Sequence, residues 1–284
     1  MGAPTLDAAW LTRFVGQVLD EDLEPAGDVT SVAVLPEERI VTAHLVARGP
    51  FVLAGIDVAR LLYHCLDPRV CFEALEADGS ELAPGGRAAR LHGPARSILA
   101  GERAALNLLM RMSGIATATR AAVREIEGTG AVILDTRKTA PGLRRLDKYS
   151  VAAGGGTNHR AGLHDAVMIK DTHLEVVPSI RDAVARVLER GHPPERITVE
   201  VRSLAQLREA IDSGAGRALL DNMSTDGLRQ AVRVNAGRIV LEASGGLRPG
   251  KLRAVAETGV NCLSLGWLTH SAPAANLAME MEPR

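Results

Sequence analysis

Cysteines and aromatic residues are scarce in this 284-residue sequence. The three cysteines, Cys65, Cys71 and Cys262, form no Cys-x-x-Cys pair. This disfavours a disulfide framework and predicts reduced, mostly packed thiols in a cytoplasmic protein. Aromatic residues make up 2% of the chain, which disfavours a protein that stacks single-stranded nucleic acid on rings. The net charge of −1 provides no overall attraction to nucleic acid or to anionic lipid.

Long apolar runs are also missing. No run of about 18 uncharged apolar residues occurs, so no membrane-spanning helix is expected. Residues 1–20 lack the basic-then-apolar order of a secretory signal. Apolar residues make up 46% and charged residues 24%, as in ordinary globular chains, and the length predicts two domains at roughly 150 residues each.

The first part of the chain has an α+β pattern. Apolar spacing predicts helices over residues 7–21 and 56–66, and strands over 39–48, 70–74 and 87–92. Residues 51–53 could pair back as a further strand. A long helix is expected from Ile98 onward, with a candidate kink at Ser113-Gly114. We therefore expect an N-terminal domain over 1–110 and a second domain over 111–271, with the tail, 272–284, a candidate to return to the first.

Beyond residue 110 short apolar runs alternate with helical patterns. The runs cover residues 132–134, 166–169, 197–199, 218–220, 239–241 and 262–265. Buried β-runs separated by helices predict a parallel sheet. Six units favour an incomplete, irregular α/β barrel, because a complete one has eight, and a doubly wound sheet is the alternative.

Polar residues follow or end these runs. In chain order they are Asp135 to Thr139, Lys170-Asp171, Glu200, Asp221-Asn222, Glu242 to Gly246, and Gly266 with His270 beyond it. Exposed loops carry such residues anyway. In a barrel, however, the carboxyl ends of all strands share the face that holds the active site. Polar ends on six runs therefore predict one common cavity.

Two kinds of charge are expected there. The cations are Arg137, Lys138, Arg160 and Lys170, and residues 135–173 hold seven Lys or Arg against four Asp. This concentration indicates a small polyanionic ligand. Glu200 and Asp221 could hold Mg²⁺ or accept hydrogen bonds from sugar hydroxyls. The combination fits a phosphorylated sugar with a metal.

Three glycine-containing segments are candidate parts of this site. Ser244-Gly245-Gly246 and Gly266 follow the last two runs, where barrel phosphate sites commonly lie, although turns need glycine in any case. The glycines at 154–156 allow a tight turn that delivers His159 and Arg160 together, with a flexible loop as the alternative.

The motifs together resemble one known family, quinolinate phosphoribosyltransferase, also called carboxylating nicotinate-nucleotide pyrophosphorylase. The matching segments extend over nearly the whole chain: Gly27 to Thr30, Glu102-Arg103, Ala105 to Asn107, Ser113 to Thr117, Asp135 to Thr139, Pro141-Gly142, Lys148-Tyr149, Gly154 to Gly156, Asn158 to Arg160, Ile169 to Asp171, Leu219 to Met223, Ser244-Gly245 and Leu268 to His270.

This resemblance implies an N-terminal α/β sandwich, an incomplete C-terminal α/β barrel and a homodimer in which Arg103 completes the partner subunit's site. It implies that quinolinate and phosphoribosyl pyrophosphate give nicotinate mononucleotide, pyrophosphate and carbon dioxide, with Mg²⁺ and no organic cofactor. Catalytic roles fall on Lys138, Lys170, Glu200 and Asp221, of which the two carboxylates also correspond to metal positions. Substrate-binding roles fall on Arg103, Thr136, Arg137, Lys138, His159, Arg160, Lys170, Glu200, Asp221, Ser244, Gly245, Gly246, Gly266 and His270.

The sequence departs from the family pattern at a few positions. Thr198 stands where members often carry Glu, Trp267 replaces a small residue, and Gly246-Leu247 replaces a polar–aliphatic pair. These changes put the packing of the substrate loops in doubt, while no principal charge is missing. Two other functions stay open: a nicotinate phosphoribosyltransferase of related fold, and a non-catalytic paralogue like the molybdenum-transport-associated relatives of this fold.

Overall fold

The computed structural model describes residues 5–283; residues 1–4 and 284, which begin the expected first domain and end the expected tail, lie outside the described range. Its helices are α1 (Ala8–Leu23), α2 (Val29–Val34), α3 (Ile56–Leu66), α4 (Ala95–Glu125), α5 (Arg144–Ala153), α6 (Asp171–Leu174), α7 (Ile180–Glu189), α8 (Leu204–Asp212), α9 (Thr225–Asn235), α10 (Leu252–Ala256) and α11 (Trp267–His270), with a short 3₁₀ turn at Pro194–Arg196. Its strands are β1 (Ile40–Ala47), β2 (Phe51–Val52), β3 (Cys71–Ala74), β4 (Glu81–Leu82), β5 (Arg87–Pro94), β6 (Val132–Leu134), β7 (Val167–Ile169), β8 (Ile197–Val201), β9 (Arg217–Asp221), β10 (Val240–Ser244), β11 (Cys262–Ser264) and β12 (Leu277–Met281).

The chain forms two compact units. The first contains residues 5–120, 140–155 and 271–283 of the described chain, and the second contains 121–139 and 156–270. The division falls at residue 120, within α4, whereas the sequence predicted it near 110. The sequence did not predict that the segment around α5 groups with the first unit.

The first unit is built on an antiparallel sheet with the strand order β12-β1-β5-β3. The tail strand β12 pairs with β1, with Ala47 opposite Leu277. Helices α1, α3 and α4 contribute Val15, Leu62 and Leu109 to the buried core of this unit. Helix α4 continues through Ser113-Gly114, the candidate kink.

Three features of the first unit differ from the sequence prediction. Residues Phe51–Val52 pair with β4 instead of back onto β1. Asp28 begins α2, a helix that the sequence did not predict, and its carboxylate accepts hydrogen bonds from the backbone N–H groups of Thr30 and Ser31. Helix α5 was not predicted; four of its ten residues are charged, and two of these, Asp147 and Lys148, are buried.

The prediction of mostly packed cysteines is wrong for two of the three. Cys65 and Cys71 are exposed and only Cys262 is buried, and all three are free thiols. Cys65 lies near the end of α3 and Cys71 begins β3, where both side chains lie outside the core.

The second unit confirms the parallel sheet and all six predicted strands. The strand order is β6-β11-β10-β9-β8-β7, and every pairing is parallel. The order is therefore cyclic, with the first strand, β6, paired to the last, β11. In a doubly wound sheet, the order of the strands would reverse at a switch point. The strand order confirms the predicted incomplete barrel, which is open between β6 and β7.

The loop of residues 157–160 occupies this opening. The backbone N–H of Thr157 donates to the Ile133 carbonyl at 2.8 Å, which adds the loop to the free edge of β6. The guanidinium Nη1 of Arg160 donates to the Ala166 carbonyl, just before β7, at 3.0 Å. The glycine-rich segment before the loop thus delivers His159 and Arg160 into the barrel wall.

Three helices of the second unit begin at serine N-caps. Ser179, Ser203 and Ser224 each accept a hydrogen bond from a backbone N–H in the first turn of α7, α8 and α9. Nowhere in residues 5–283 does a helix have the length and apolar character needed to cross a membrane.

Candidate active site

A cavity of about 240 Å³ lies at the carboxyl ends of the parallel strands in the second unit, where α/β barrels bind their ligands. Its volume is near the lower end of the range for small-molecule sites. The lining residues come from all six strands or their ends and from the 157–160 loop: Thr136, Arg137, Lys138, His159, Arg160, Met168, Lys170, Glu200, Leu219, Asp221, Glu242, Ser244 and Ser264. The strand ends therefore form one common cavity.

Two arginines meet on one side of the cavity. Burial lowers the pKa of Arg160, and the positive charge of Arg137 lowers it further. Arg137 and Arg160 both line the cavity and are near enough to interact electrostatically. Two guanidinium groups in one place can bind two carboxylates or a phosphate through paired hydrogen bonds.

Asp135 orients the loop that carries His159. The carboxylate of Asp135 is fully buried and accepts from the Asn158 amide and from the His159 backbone N–H, both at 2.7 Å. The Nδ1 atom of His159 in turn accepts from the backbone N–H of Arg160 at 2.7 Å. These contacts hold the histidine at the cavity wall.

A second side of the cavity is acidic. Glu200 lies within β8 and Asp221 ends β9, and both side chains are largely buried. Burial raises the pKa of Glu200, and the charges of Asp221 and Asp171 raise it further, while Lys170 and Arg202 partly offset them. Lys170, Glu200 and Asp221 line the same cavity, as the sequence predicted.

Arg202 was not predicted from the sequence. It follows β8 directly, and its Nη2 atom lies 2.7 Å from Asp171 and its Nε atom 3.1 Å from Asp221. The side chain is half exposed, so the contact is weak and can be exchanged. The signal was a basic residue at a strand end whose neighbours are acidic.

Glycine at position 266 allows two predicted residues to approach each other. A Cβ atom there would lie 2.9 Å from Cδ of Lys138 and 3.3 Å from Nε2 of His270. The Thr269 hydroxyl donates to the Lys138 carbonyl at 2.8 Å, which fixes the loop after β6 to α11. The Lys138 backbone N–H donates to the Thr136 hydroxyl at 3.0 Å, so hydrogen bonds connect Thr136, Lys138 and Thr269.

The loop after β10 also needs glycine. Gly245 has φ +90°, and a Cβ atom there would overlap the amide of Asn222. The Asn222 backbone N–H donates to the Ser244 carbonyl at 2.9 Å, and its amide donates to Asp221 at 2.9 Å. Gly246 has φ +62°, and this turn of exposed backbone lies beside the acidic residues.

Glu242 is a further cavity residue that the sequence did not assign. It lies within β10 and is fully buried, and its Oε2 atom is 3.2 Å from Nε2 of His159 and 3.5 Å from Nη2 of Arg217. Burial raises the pKa of Glu242, but the facing His159, together with Ser264 and Arg217, outweighs burial and lowers the pKa below its ordinary value. The sequence feature that could have identified Glu242 is a carboxylate between the apolar residues of a strand.

Arg103 lies in α4, in the first unit, with its side chain 63% exposed. Trp267, one of the departures from the family pattern, donates its indole N–H to the Leu247 carbonyl at 3.0 Å. Two of the departures, Trp267 and Gly246-Leu247, are therefore linked by one hydrogen bond.

The acidic side fits a magnesium ion that is bound together with phosphate. Mg²⁺ in such sites is held by one or two carboxylates and by substrate phosphates. Glu200 and Asp221 supply two hard oxygen donors, and mutual repulsion already raises the pKa of Glu200. Within residues 5–283 no group of three or more His, Cys, Asp or Glu could hold a metal by itself, so the remaining ligands would have to come from the substrate and water.

Comparison with known proteins identifies the family. The model of the quinolinate phosphoribosyl transferase N-terminal domain matches residues 28–113, and that of the C-terminal domain matches residues 115–280. The chain is 42% identical to a probable nicotinate-nucleotide pyrophosphorylase [carboxylating] of Bacillus subtilis, over 95% of this chain and 93% of that protein. It is 40% identical to the nicotinate-nucleotide pyrophosphorylase [carboxylating] of Mycobacterium leprae, over 94% and 95% of the two chains.

Solved structures agree with the sequence comparisons. The structure of the nicotinate-nucleotide pyrophosphorylase from Francisella tularensis superposes with a TM-score of 0.92 and 34% identity, and the match covers 99% of each chain. Two domain models, full-length relatives and a full-length structural match all name the same family. The chain belongs to the quinolinate phosphoribosyltransferase family.

Proposed function

We propose that this protein is a quinolinate phosphoribosyltransferase, an enzyme of NAD biosynthesis. It joins quinolinate to phosphoribosyl pyrophosphate and forms nicotinate mononucleotide, pyrophosphate and carbon dioxide. The observation that carries the proposal is the division of one cavity into a side with paired arginines and a side with paired carboxylates.

The two sides suit the two substrates. Arg137 and Arg160 would grip the adjacent carboxylates of quinolinate, because guanidinium groups bind carboxylates through two parallel hydrogen bonds. Glu200 and Asp221 would accept hydrogen bonds from the ribose hydroxyls. Ser244, Gly245 and Gly246 would bind the 5′-phosphate through their hydroxyl and backbone N–H groups, with Gly266 and His270 nearby.

The geometry promotes attack of the pyridine nitrogen on the anomeric carbon. The C–N bond forms while the C–O bond to pyrophosphate breaks, and the departing oxygen takes the electron pair. Lys138 and Lys170 would stabilise the negative charge that develops on the leaving group. Holding both reactants in one cavity can contribute several kcal/mol, of order 7–11 at best.

Decarboxylation needs no organic cofactor. The alkylated ring nitrogen is positively charged and accepts the electron pair when the C–C bond to the adjacent carboxylate breaks. Carbon dioxide leaves, and the ring carbon takes a proton from solvent. Magnesium, held by Glu200, Asp221 and the substrate, would supply further charge neutralisation at the pyrophosphate.

Lys170→Ala tests the proposal against a matched control. Steady-state quinolinate consumption is followed with both substrates and Mg²⁺. Lys170→Ala is expected to lower kcat/KM by about 100-fold or more, the cost of removing one stabilising charge at a developing anion. Lys251→Ala, an exposed lysine outside the cavity, is expected to match wild type. Wild-type turnover of nicotinate in preference to quinolinate, or binding without any product, would replace the proposal with one of its two rivals.

The proposal extends to a cytoplasmic homodimer in which Arg103 reaches the partner subunit's site. The exposed Arg103 side chain supports this extension, as do the free thiols, which suit a reducing compartment. Mixing Arg103→Ala with Lys170→Ala, each inactive alone, should restore about a quarter of wild-type activity, because half of the mixed dimers are hybrids with one intact site. If the mixture stays inactive after verified subunit exchange, Arg103 does not act in the partner's site.

A further inference from the structure

Glu242 has an environment that the proposed chemistry does not explain. Its carboxylate is fully buried and lines a cavity whose arginines and lysines must attract a dianion. A buried, ionised carboxylate is costly unless positive or donor groups face it. It would also repel the substrate. Its presence at the cavity therefore calls for a function that outweighs this repulsion.

The ring of His159 faces this carboxylate. Its Nδ1 atom accepts from the Arg160 backbone N–H, so Nδ1 carries no proton. A neutral ring in this state has its proton on Nε2, which lies 3.2 Å from Oε2 of Glu242. The backbone thus selects the tautomer, and Glu242 is placed to accept the remaining N–H.

Besides the hydroxyl of Ser264, Glu242 has a charged neighbour, Arg217, that lies farther into the barrel. Arg217 begins β9, and its Nη2 atom lies 3.5 Å from Oε2 of Glu242 and 3.9 Å from Sγ of Cys262. Arg217 does not line the active-site cavity but a second cavity at the other end of the strands. Glu242 therefore stands between a cavity histidine and an arginine that has no part in the proposed reaction.

We propose that Glu242 is a positioning residue that acts through His159. Its carboxylate accepts the Nε2–H of the ring and holds the ring in one orientation beside Arg137 and Arg160, where quinolinate would bind. Neither carboxylate oxygen has a well-aligned hydrogen bond within residues 5–283. Such contacts are often poorly aligned without substrate and tighten when it binds. This inference rests on the proposed function for its kinetic consequence.

Two substitutions distinguish the role of Glu242 as a hydrogen-bond acceptor from the role of its negative charge. Glu242→Gln keeps an oxygen acceptor of the same shape and removes the charge, whereas Glu242→Met removes both at similar volume. Removing the partner that orients a site histidine typically costs about 10- to 100-fold. Glu242→Met should therefore lower kcat/KM for quinolinate by that factor and leave the KM for phosphoribosyl pyrophosphate within about twofold. Glu242→Gln should retain kcat/KM within about threefold of wild type.

Arg217→Met is the matched control, because it removes the arginine that faces Glu242. It should leave the quinolinate kinetics within about threefold of wild type. If Glu242→Met unfolds the protein, Glu242→Met/Arg217→Met replaces the whole buried pair with apolar side chains, a change that proteins often tolerate. This double variant should show the kinetic loss of Glu242→Met in a folded enzyme.

A double-mutant cycle tests whether Glu242 acts through the histidine. In a His159→Gln background, Glu242→Met should cause no further loss, because the two residues act as one unit. Equal losses for Glu242→Gln and Glu242→Met, a loss for Arg217→Met as large as that for Glu242→Met, or a lower KM for quinolinate in Glu242→Gln with kcat unchanged would each overturn the proposal.

Ring ¹⁵N spectra separate this inference from the proposed function. The His159 signals, identified by their absence in His159→Gln, should show protonated Nε2 and unprotonated Nδ1 in wild type. The same pattern should persist in Glu242→Gln and be replaced by exchange-broadened signals in Glu242→Met. This result does not depend on turnover, so an enzyme inactive with quinolinate would refute the function alone. Unchanged spectra in Glu242→Met would refute the positioning role alone.

Discussion

Substituting Gly266 by alanine tests whether the loops at the last and first strands meet as described. A Cβ atom at position 266 would lie 2.9 Å from Cδ of Lys138, against an ordinary contact of at least 3.4 Å. Cδ must therefore move by about 0.5 Å, the difference between these distances, and the terminal amine two bonds farther can move by about 1 Å. A displacement of that size at a reacting group costs about 100-fold.

The expected result is a kcat/KM about 10- to 100-fold below wild type with little loss of stability. The backbone at Gly266 does not have a positive φ, and the contacted atoms belong to side chains that can move. The free energy of unfolding should consequently change by less than about 1 kcal/mol. Steady-state kinetics with both substrates and urea unfolding measure the two quantities.

Gly16→Ala is the control for the general effect of replacing glycine. Gly16 lies inside α1, and a Cβ atom there would meet nothing within 4 Å. Alanine should stabilise the protein by about 0.5–1 kcal/mol and leave the kinetics unchanged. Wild-type kinetics in Gly266→Ala would mean that the position of Lys138 does not matter, and the assignment of Lys138 to the pyrophosphate would be abandoned.

Three further predictions concern charge. Burial and the charges of Asp221 and Asp171 raise the pKa of Glu200, so activity should fall on the acidic side at a higher pH than for an ordinary glutamate. Asp171→Asn should move this acidic limb of the pH profile to lower pH. An acidic limb that does not move would contradict its assignment to Glu200. Arg202→Gln should lower the Mg²⁺ concentration for half-maximal activity by up to about fivefold, since an exposed ion pair is worth at most about 1 kcal/mol, whereas a higher requirement would show that Arg202 binds substrate. The Arg69 side chain holds the pKa of Asp67 well below its usual range, so the ionised Asp67 stabilises the fold above its unfolded pKa of about 3.9, and this stabilisation is lost as the pH falls through the folded pKa. Asp67→Asn should therefore lower the free energy of unfolding by about 1–3 kcal/mol at pH 7. In urea unfolding, the difference between this variant and wild type should shrink under acidic conditions.

Local patterns were sufficient to predict the elements of the barrel. Each of the six strands is a short apolar run, and polar residues end it, so both the strands and their common edge follow from periodicity. The same reasoning identified Arg137, Lys170, Glu200 and Asp221, which the structure brings into one cavity. These residues could be identified because each follows closely after a short apolar run.

Features that depend on distant partners were not predictable. Glu242 was counted with the strand end, although it lies inside β10 and faces a histidine from a loop far away in the sequence. The pairing of β2 with β4 depends on a strand too short to give a pattern of its own. The short helix α2 was not predicted, because aspartate makes the same local hydrogen bonds in turns as at a helix N-cap.

The exposure of Cys65 and Cys71 was mispredicted for a similar reason. Apolar residues surround both cysteines in the sequence, but each lies near the end of an element, where the next turn of chain leaves the core. Burial at an element's end is determined by what packs over it, and the sequence near these cysteines does not contain that information.

The central claim is that one cavity holds a pyridine dicarboxylate beside an activated pentose and joins them with loss of carbon dioxide. The most direct measurement uses quinolinate labelled at the carboxylate next to the nitrogen and counts carbon dioxide, pyrophosphate and nicotinate mononucleotide in one reaction. We expect the three products in equal amounts, and none without phosphoribosyl pyrophosphate. Pyrophosphate released without labelled carbon dioxide, or labelled carbon dioxide formed without phosphoribosyl pyrophosphate, would contradict the account.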